Sequence, residues 1–170
     1  MRDYLAMMAG YNRWANRRLY ARAAAMDDAA YRADGGAFFG SVHRTLNHLL
    51  VADRIWMRRF TGAGDAPNRL DAILFEDRAA LAEARAAEDE RIIAFVGGVS
   101  DATLAGPITY RTITNPAEIT QPLAPALFHF FNHQTHHRGQ VHALMTQLVD
   151  RDFAPPLDLL LYQRETGVGL

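Results

Sequence analysis

The sequence predicts an all-α protein, a four-helix bundle with a small β-hairpin inserted before the fourth long helix. Four long segments carry apolar residues at intervals of three and four, the spacing of one face of an α-helix. One short segment, residues 108–114, is instead β-branched and aromatic, which is typical of a strand. The chain has 170 residues, of which 49% are hydrophobic and 22% charged, an ordinary globular composition. We therefore expect residues 1–170 to form one bundle domain.

The first two helices are bounded by clear break signals. The first covers about residues 3–26, and the Asp-Gly-Gly run at residues 34–36 follows it. The second covers about residues 41–60, with Ser41 as its N-cap. A stretch rich in glycine and ending in proline, residues 61–67, stops the second helix.

The second half of the chain contains the hairpin and the remaining helices. A third helix is expected over about residues 75–96, closed by the C-cap signature Gly97-Gly98. Residues 108–114 and 118–121 predict the hairpin, with Asn115-Pro116 between its strands. The fourth long helix covers about residues 124–149, and a short terminal helix about residues 157–164.

Several function classes are excluded by composition. The net charge of -1 argues against nucleic-acid binding as the main function. There is no cysteine, which excludes thiol catalysis by the chain itself and cysteine-type zinc sites. All eighteen basic residues are arginine, which excludes Schiff-base lysines. No signal peptide and no apolar run of about 20 residues is present, so we expect a cytoplasmic protein without a membrane partner.

Histidine is concentrated on the predicted fourth helix, which carries five of the seven: His129, His133, His136, His137 and His142. His129, His133 and His137 are four residues apart and share one helical face. Two imidazoles at this spacing can bind one metal ion. No glutamate follows His133, so an H-E-x-x-H protease is excluded. The spacing does not decide between the 129/133 and 133/137 pairs.

A third ligand has to come from another helix. The predicted second helix offers His43 and His48, and His48 lies in the apolar run Leu46-Asn47-His48-Leu49-Leu50, which indicates an inward position. Three neutral imidazoles leave a coordination position open for water or substrate, as in catalytic metal sites. All-nitrogen ligation suits zinc, nickel, copper or iron.

Other polar residues are candidates for supporting roles. Asn47, Asp53 and Gln134 could orient a ligand imidazole through a hydrogen bond, and Gln140 could orient a neighbouring group. Asp53 and Glu118 are the candidates for a general base.

Simpler roles are expected elsewhere. Trp14 and Trp56 are expected to be core aromatics, and His142 to lie on the surface. The arginine pairs 17–18 and 58–59 are expected to form solvated faces. The roles of His129 and His136 stay open.

Three motifs resemble those of the DinB/YfiT-like family. They are Tyr-Asn-Arg-Trp-Ala-Asn at residues 11–16, Thr-Leu-Asn-His-Leu-Leu-Val-Ala-Asp-Arg-Ile-Trp at residues 45–56, and Asn-His-Gln-Thr-His-His-Arg-Gly-Gln at residues 132–140. They occur in the expected order on the first, second and fourth helices. The resemblance implies a four-helix bundle, often dimeric, with a divalent metal held by three histidines. By motif position these are His48, His133 and His137.

The resemblance also implies a reaction class. Characterised relatives resemble thiol-dependent S-transferases and isomerases, in which a small thiol is activated on the metal. Because this chain has no cysteine, it would use a low-molecular-weight thiol and an electrophilic substrate. The alternatives are a metal-dependent hydrolase and a non-catalytic metal-binding or stress-induced protein. We expect zinc or nickel, then iron, as the metal, and a homodimer.

Overall fold

The computed structural model describes residues 1–114 and 116–170 and confirms an all-α fold with a hairpin insertion. Asn115, which was predicted to lie between the strands, is outside the described residues. The elements in chain order are α1 (Arg2–Ala24), α2 (Asp28–Arg32), α3 (Val42–Thr61), α4 (Arg78–Gly98), α5 (Asp101–Ala105), β1 (Pro107–Arg111), β2 (Glu118–Pro122), α6 (Leu123–Leu148) and α7 (Leu159–Thr166).

The four long helices α1, α3, α4 and α6 form the bundle. Helix α1 packs against α4 and α6, and α3 packs against the same two helices. Their apolar faces meet in two buried clusters, one around Trp56 and Phe130 and the other around Leu46 and Leu144. The direct packing of α3 on α6 brings His48 of α3 close to His133 and His137 of α6.

Both ends of α3 have the caps that the sequence predicts, but the C-terminal end of α4 does not. Ser41 caps α3 by accepting a hydrogen bond from the Arg44 N–H at 3.2 Å, and Gly62 ends this helix in the left-handed conformation at φ 72°. The expected closure of α4 by Gly97-Gly98 is wrong, because both glycines lie within the helix and Val99 caps it without a positive φ.

The expected start of α4 at residue 75 is also wrong. The side chain of Asn47 accepts hydrogen bonds from the backbone N–H groups of Leu74 and Phe75 at 2.8 and 3.0 Å. These bonds hold the two residues in the loop, and α4 begins only after Asp77, whose side chain accepts from the Ala80 N–H.

Two short helices were not predicted. Helices α2 and α5 have five residues each and follow the N-caps Asp27 and Ser100. A helix this short shows hardly more than one turn, so it has no apolar period to detect.

The hairpin stands against α3. Its strands are antiparallel, with Thr109 opposite Thr120, and β2 leads directly into α6. The ring of Tyr110 packs edge-on against Trp56 of α3 at 5.0 Å between centroids. The hairpin therefore packs beside the C-terminal half of α3.

A network of buried polar side chains links the four long helices. Its members are Asn12, Asn16, Asp53, Arg85, Asp89, Gln134 and Arg138. The guanidinium of Arg85 lies 2.5 Å from a carboxylate oxygen of Asp53 and 3.1 Å from one of Asp89. Two arginines and two aspartates balance one another in charge inside the bundle, which is the condition for burying them.

Candidate metal centre

Three histidines from two helices converge at one place. His48 comes from α3, and His133 and His137 come from adjacent turns of α6. The Nε2 atom of His137 lies 3.2 Å from Nε2 of His48 and 3.1 Å from Nε2 of His133. One ligand atom of each lies within 4.8 Å of the others, so the group could hold a metal ion.

The hydrogen bonds behind the rings determine where the protons are. Nδ1 of His48 lies 2.7 Å from the carbonyl oxygen of Leu70, and Nδ1 of His137 lies 2.7 Å from the amide oxygen of Gln140. Both oxygens accept only, so both Nδ1 atoms carry the proton and both Nε2 atoms carry a lone pair. The Nε2 atoms of His48 and His137 thus lie 3.2 Å apart, and neither carries a proton that it could donate to the other. A cation between them removes this repulsion, so the residues fit a metal ion.

The environment also keeps the imidazoles neutral. Burial lowers the pKa of His48 to about 4, despite its hydrogen bond to Leu70. Burial and repulsion from His137 lower the pKa of His133 to about 3. Neutral imidazole is the form that binds metals, so these histidines are ready to bind at neutral pH.

An aromatic side chain covers one side of the group. The ring of Phe39 stacks on His48 at 3.8 Å between centroids with the planes 22° apart, and lies 5.6 Å from His137. Phe39 belongs to a tight loop in which Gly36 and Gly40 have positive φ angles of 77° and 81°. Since Phe39 lies directly on the ring of His48, the loop limits the access of water from this side.

A cavity of about 190 Å³ is lined by His48 and His133, and Phe39 is not part of its lining. Helix α3 contributes Ala52, Ile55, Trp56 and Arg59 to its lining, and α6 contributes His129. The remaining lining is Leu70 and the segment that follows β1, Thr112, Ile113 and Thr114. No carboxylate lines this cavity among the described residues.

The predicted helpers of the imidazoles have other partners. Asp53 accepts from Gln134 at 2.8 Å and pairs with Arg85, so both belong to the buried network and the expectation that they orient a ligand is wrong. Asn47 binds the loop at residues 74–75 instead. Among the candidate helper side chains, Gln140 is the one that hydrogen-bonds one of the three imidazoles, at Nδ1 of His137.

Neither general-base candidate lies at the site. Asp53 is buried in the network, and Glu118 lies exposed on β2, 3.6 Å from Arg111. Neither lines the cavity beside the histidines. The expectation that one of them acts as a base there is therefore wrong.

The other histidines and the tryptophans have distinct places. His129 lies near the site, with its ring 5.2 Å from that of Trp56, and lines the cavity without joining the three-histidine group. His136 is exposed and lies 3.3 Å from the amide nitrogen of Gln140. Trp56 is buried, as expected of a core aromatic, but also lines the cavity. Trp14 donates its indole N–H to Glu165 at 2.8 Å.

Sequence reasoning missed Arg59 and Phe39. Arg59 was grouped with Arg58 as a solvated face, but only Arg58 is exposed. The available signal was helical spacing, because residue 59 lies eleven positions after His48 and therefore on the same face of α3. Phe39 lies in a loop, where no period indicates which way a side chain points.

Replacing Gln140 with alanine should weaken metal binding roughly 10–100-fold, since His137 loses the acceptor that fixes its tautomer. Competition with a chromophoric chelator measures the affinity. His142→Ala, two residues beyond Gln140 on the same helix, is the matched control and should leave the affinity unchanged. Equal affinities for the Gln140 variant and the unmodified protein would show that this bond does not support metal binding.

Comparison with known proteins gives a consistent match over most of the chain. A family model described as "DinB family" matches residues 1–166. The curated "Protein DinB" of Bacillus subtilis (strain 168) is 26% identical over 155 residues, which cover 86% of this chain and 87% of that protein. No solved structure matches the chain significantly. Within residues 1–114 and 116–170, no helix is long and apolar enough to cross a membrane.

Proposed function

Because this chain belongs to the DinB family, we propose that it is a metal-dependent enzyme that transfers a low-molecular-weight thiol to an electrophile. In this proposal His48, His133 and His137 bind one divalent ion, with zinc or nickel preferred over iron. The observation that supports it is the pair of facing Nε2 lone pairs, 3.2 Å apart, beside a third imidazole. Metal sites of this kind keep a position for substrate.

Each part of the site has a task in this reaction. A bound divalent ion supplies Lewis acidity, which favours the thiolate form of a coordinating thiol. Leu70 and Gln140 hold two of the imidazoles in the tautomer that presents Nε2. Phe39 covers the ring of His48, and the cavity, which Trp56 helps to line, positions the substrates. The thiol comes from outside, because the chain has no cysteine.

The lining of the cavity favours thiol transfer over hydrolysis. In hydrolysis the metal would have to activate water without a general base, because no carboxylate lines the cavity among the described residues. A thiol has a pKa of about 8.5, so modest stabilisation of its anion is sufficient near neutral pH. An isomerase that adds and removes a thiol would use the same parts.

The direct test uses protein made without a histidine tag, stripped with a chelator and reloaded with zinc, nickel or iron. A panel of small thiols is combined with monochlorobimane, which becomes fluorescent on conjugation. We expect conjugation above the uncatalysed rate only with metal, and none with His133→Ala. Metal binding without turnover would favour a non-catalytic metal-binding protein. Metal-dependent ester cleavage without any thiol would favour a hydrolase.

We also propose that the protein is a homodimer whose fold survives loss of the metal. Tyr4 of α1 and Phe128 of α6 are 49% and 41% exposed and pack against each other, forming an apolar surface that a second copy could bury. The bundle has its own apolar core and does not need a metal to form one.

Light scattering and far-UV circular dichroism on chelator-treated protein test this prediction. A dimeric mass and an unchanged helical signal are expected. A monomeric mass would remove the dimer, and loss of helical signal would show that the metal is structural.

A further inference from the structure

We propose that Arg59 binds a negatively charged group of a substrate, a carboxylate, in the cavity that opens on His48 and His133. The inference rests on the proposed function and adds to it the charge of the substrate. The sequence predicted that Arg59 lies on a solvated face. The structure instead places its side chain in the lining of the cavity.

The charge of Arg59 is not neutralised by the described part of the chain. Its guanidinium donates to the carbonyl oxygen of Arg111 at 2.8 Å and has no carboxylate partner among residues 1–114 and 116–170. By contrast, Arg85 in the buried network pairs with two aspartates. A half-buried cation without an ion pair is costly, and a bound anion would lower that cost.

The guanidinium is also held in position. It lies 4.5 Å from the ring centroid of Trp56 and 4.6 Å from that of Tyr110. These cation–π contacts and the bond to Arg111 fix the side chain between α3 and the hairpin. An arginine has five N–H donors, so donors remain for a carboxylate, which it can bind in a bidentate manner.

The cavity as a whole matches a small anion. Among the described residues that line it, Arg59 is the one arginine, and no aspartate or glutamate is present to pair with it. A carboxylate of a small substrate would therefore meet one positive charge beside the histidines.

The carboxylate can belong to the thiol or to the electrophile, and two pairs of probes separate these sources. The first pair is 3-mercaptopropionate and its neutral analogue 3-mercaptopropionamide. The second is 4-chloro-3-nitrobenzoate and 4-chloro-3-nitrobenzamide. Binding of each to zinc-loaded protein is measured by calorimetry. In at least one pair we expect the carboxylate to bind about tenfold more tightly than the amide.

Variants assign this preference to Arg59. Arg59→Gln should abolish the difference in affinity between carboxylate and amide, and Arg59→Lys should retain part of it. Arg58→Gln is the matched control, because Arg58 is adjacent, exposed and absent from the cavity lining. Equal binding of carboxylate and amide by the unmodified protein, no binding of either carboxylate, or a preference that persists in Arg59→Gln would overturn the proposal. The comparison in unmodified protein stands even if a variant fails to fold.

Cobalt-substituted protein separates this proposal from the proposed function. A thiolate-to-cobalt charge-transfer band that appears at the same concentration for both thiols, with no carboxylate preference in either pair, would retain thiol activation and reject the role of Arg59. Carboxylate binding that depends on Arg59, without such a band for either thiol, would retain Arg59 and reject thiol activation.

Discussion

Replacing Asp53 with alanine is expected to lower the free energy of unfolding by about 3–5 kcal/mol, the range for removing one partner of a buried ion pair. Asp53 and Arg85 are 1% and 2% exposed and lie 2.5 Å apart. The substitution leaves two buried arginines facing the single carboxylate of Asp89, and it also removes the acceptor of the Gln134 amide. Urea unfolding followed by circular dichroism measures the change.

A matched substitution gives the control for this prediction. Asp28→Ala also removes an aspartate that pairs with an arginine, Arg78 at 2.9 Å, but the side chain of Asp28 is 68% exposed. It should have little effect, because exposed pairs are screened by water. A double variant, Asp53→Leu with Arg85→Met, should recover much of the lost stability. Equal losses for Asp53→Ala and Asp28→Ala would contradict the structural role given to the network.

Replacing His137 with alanine is expected to lower metal affinity by roughly a hundredfold or more, beyond the 10–100-fold expected for losing a supporting hydrogen bond. His137 is the central member of the group, since its Nε2 lies within 3.2 Å of both other Nε2 atoms. His48→Ala and His133→Ala should have similar effects. Metal content of untagged protein and chelator competition provide the measurement.

The neighbouring histidines serve as controls. His136 is adjacent to His137 in the sequence, and His142 lies further along the same helix. Neither histidine belongs to the three-histidine group. Both variants should bind metal nearly as well as the unmodified protein. If His129→Ala abolished binding while His137→Ala had no effect, the metal would be bound by the 129/133 pair instead.

The long helices could be predicted because the helical spacing of their apolar residues and their capping residues indicate the same boundaries. Ser41 and Gly62 bound α3 as their chemistry requires, and both ends were predicted within one or two residues. The end of α4 was predicted wrongly at Gly97-Gly98, because glycine can adopt the left-handed conformation of a C-cap but does not have to adopt it. The start of α4 depends on Asn47, which is 27 residues before Leu74, and no local pattern reveals such a contact.

The site was predictable in part for a similar reason. Spacing puts histidines on one face of α6, but the choice of His133 and His137 came from the family motif. Gln134 lies only one residue from His133, about 100° around the helix, and this rotation turns it to the buried network instead of the metal group. Arg58 and Arg59 differ in the same way. Sequence gives the charge of such neighbours but not which of them faces a cavity.

In our proposal three imidazoles bind one metal ion that can also bind a thiol. X-ray absorption spectroscopy at the zinc edge of untagged, zinc-loaded protein reports both the nitrogen and the sulfur ligands. We expect three imidazole nitrogens at about 2.0–2.1 Å and, on addition of 3-mercaptopropionamide, one sulfur at about 2.3 Å. Fewer than three imidazole ligands would contradict the assigned site, and an unchanged spectrum with saturating thiol would contradict the reaction.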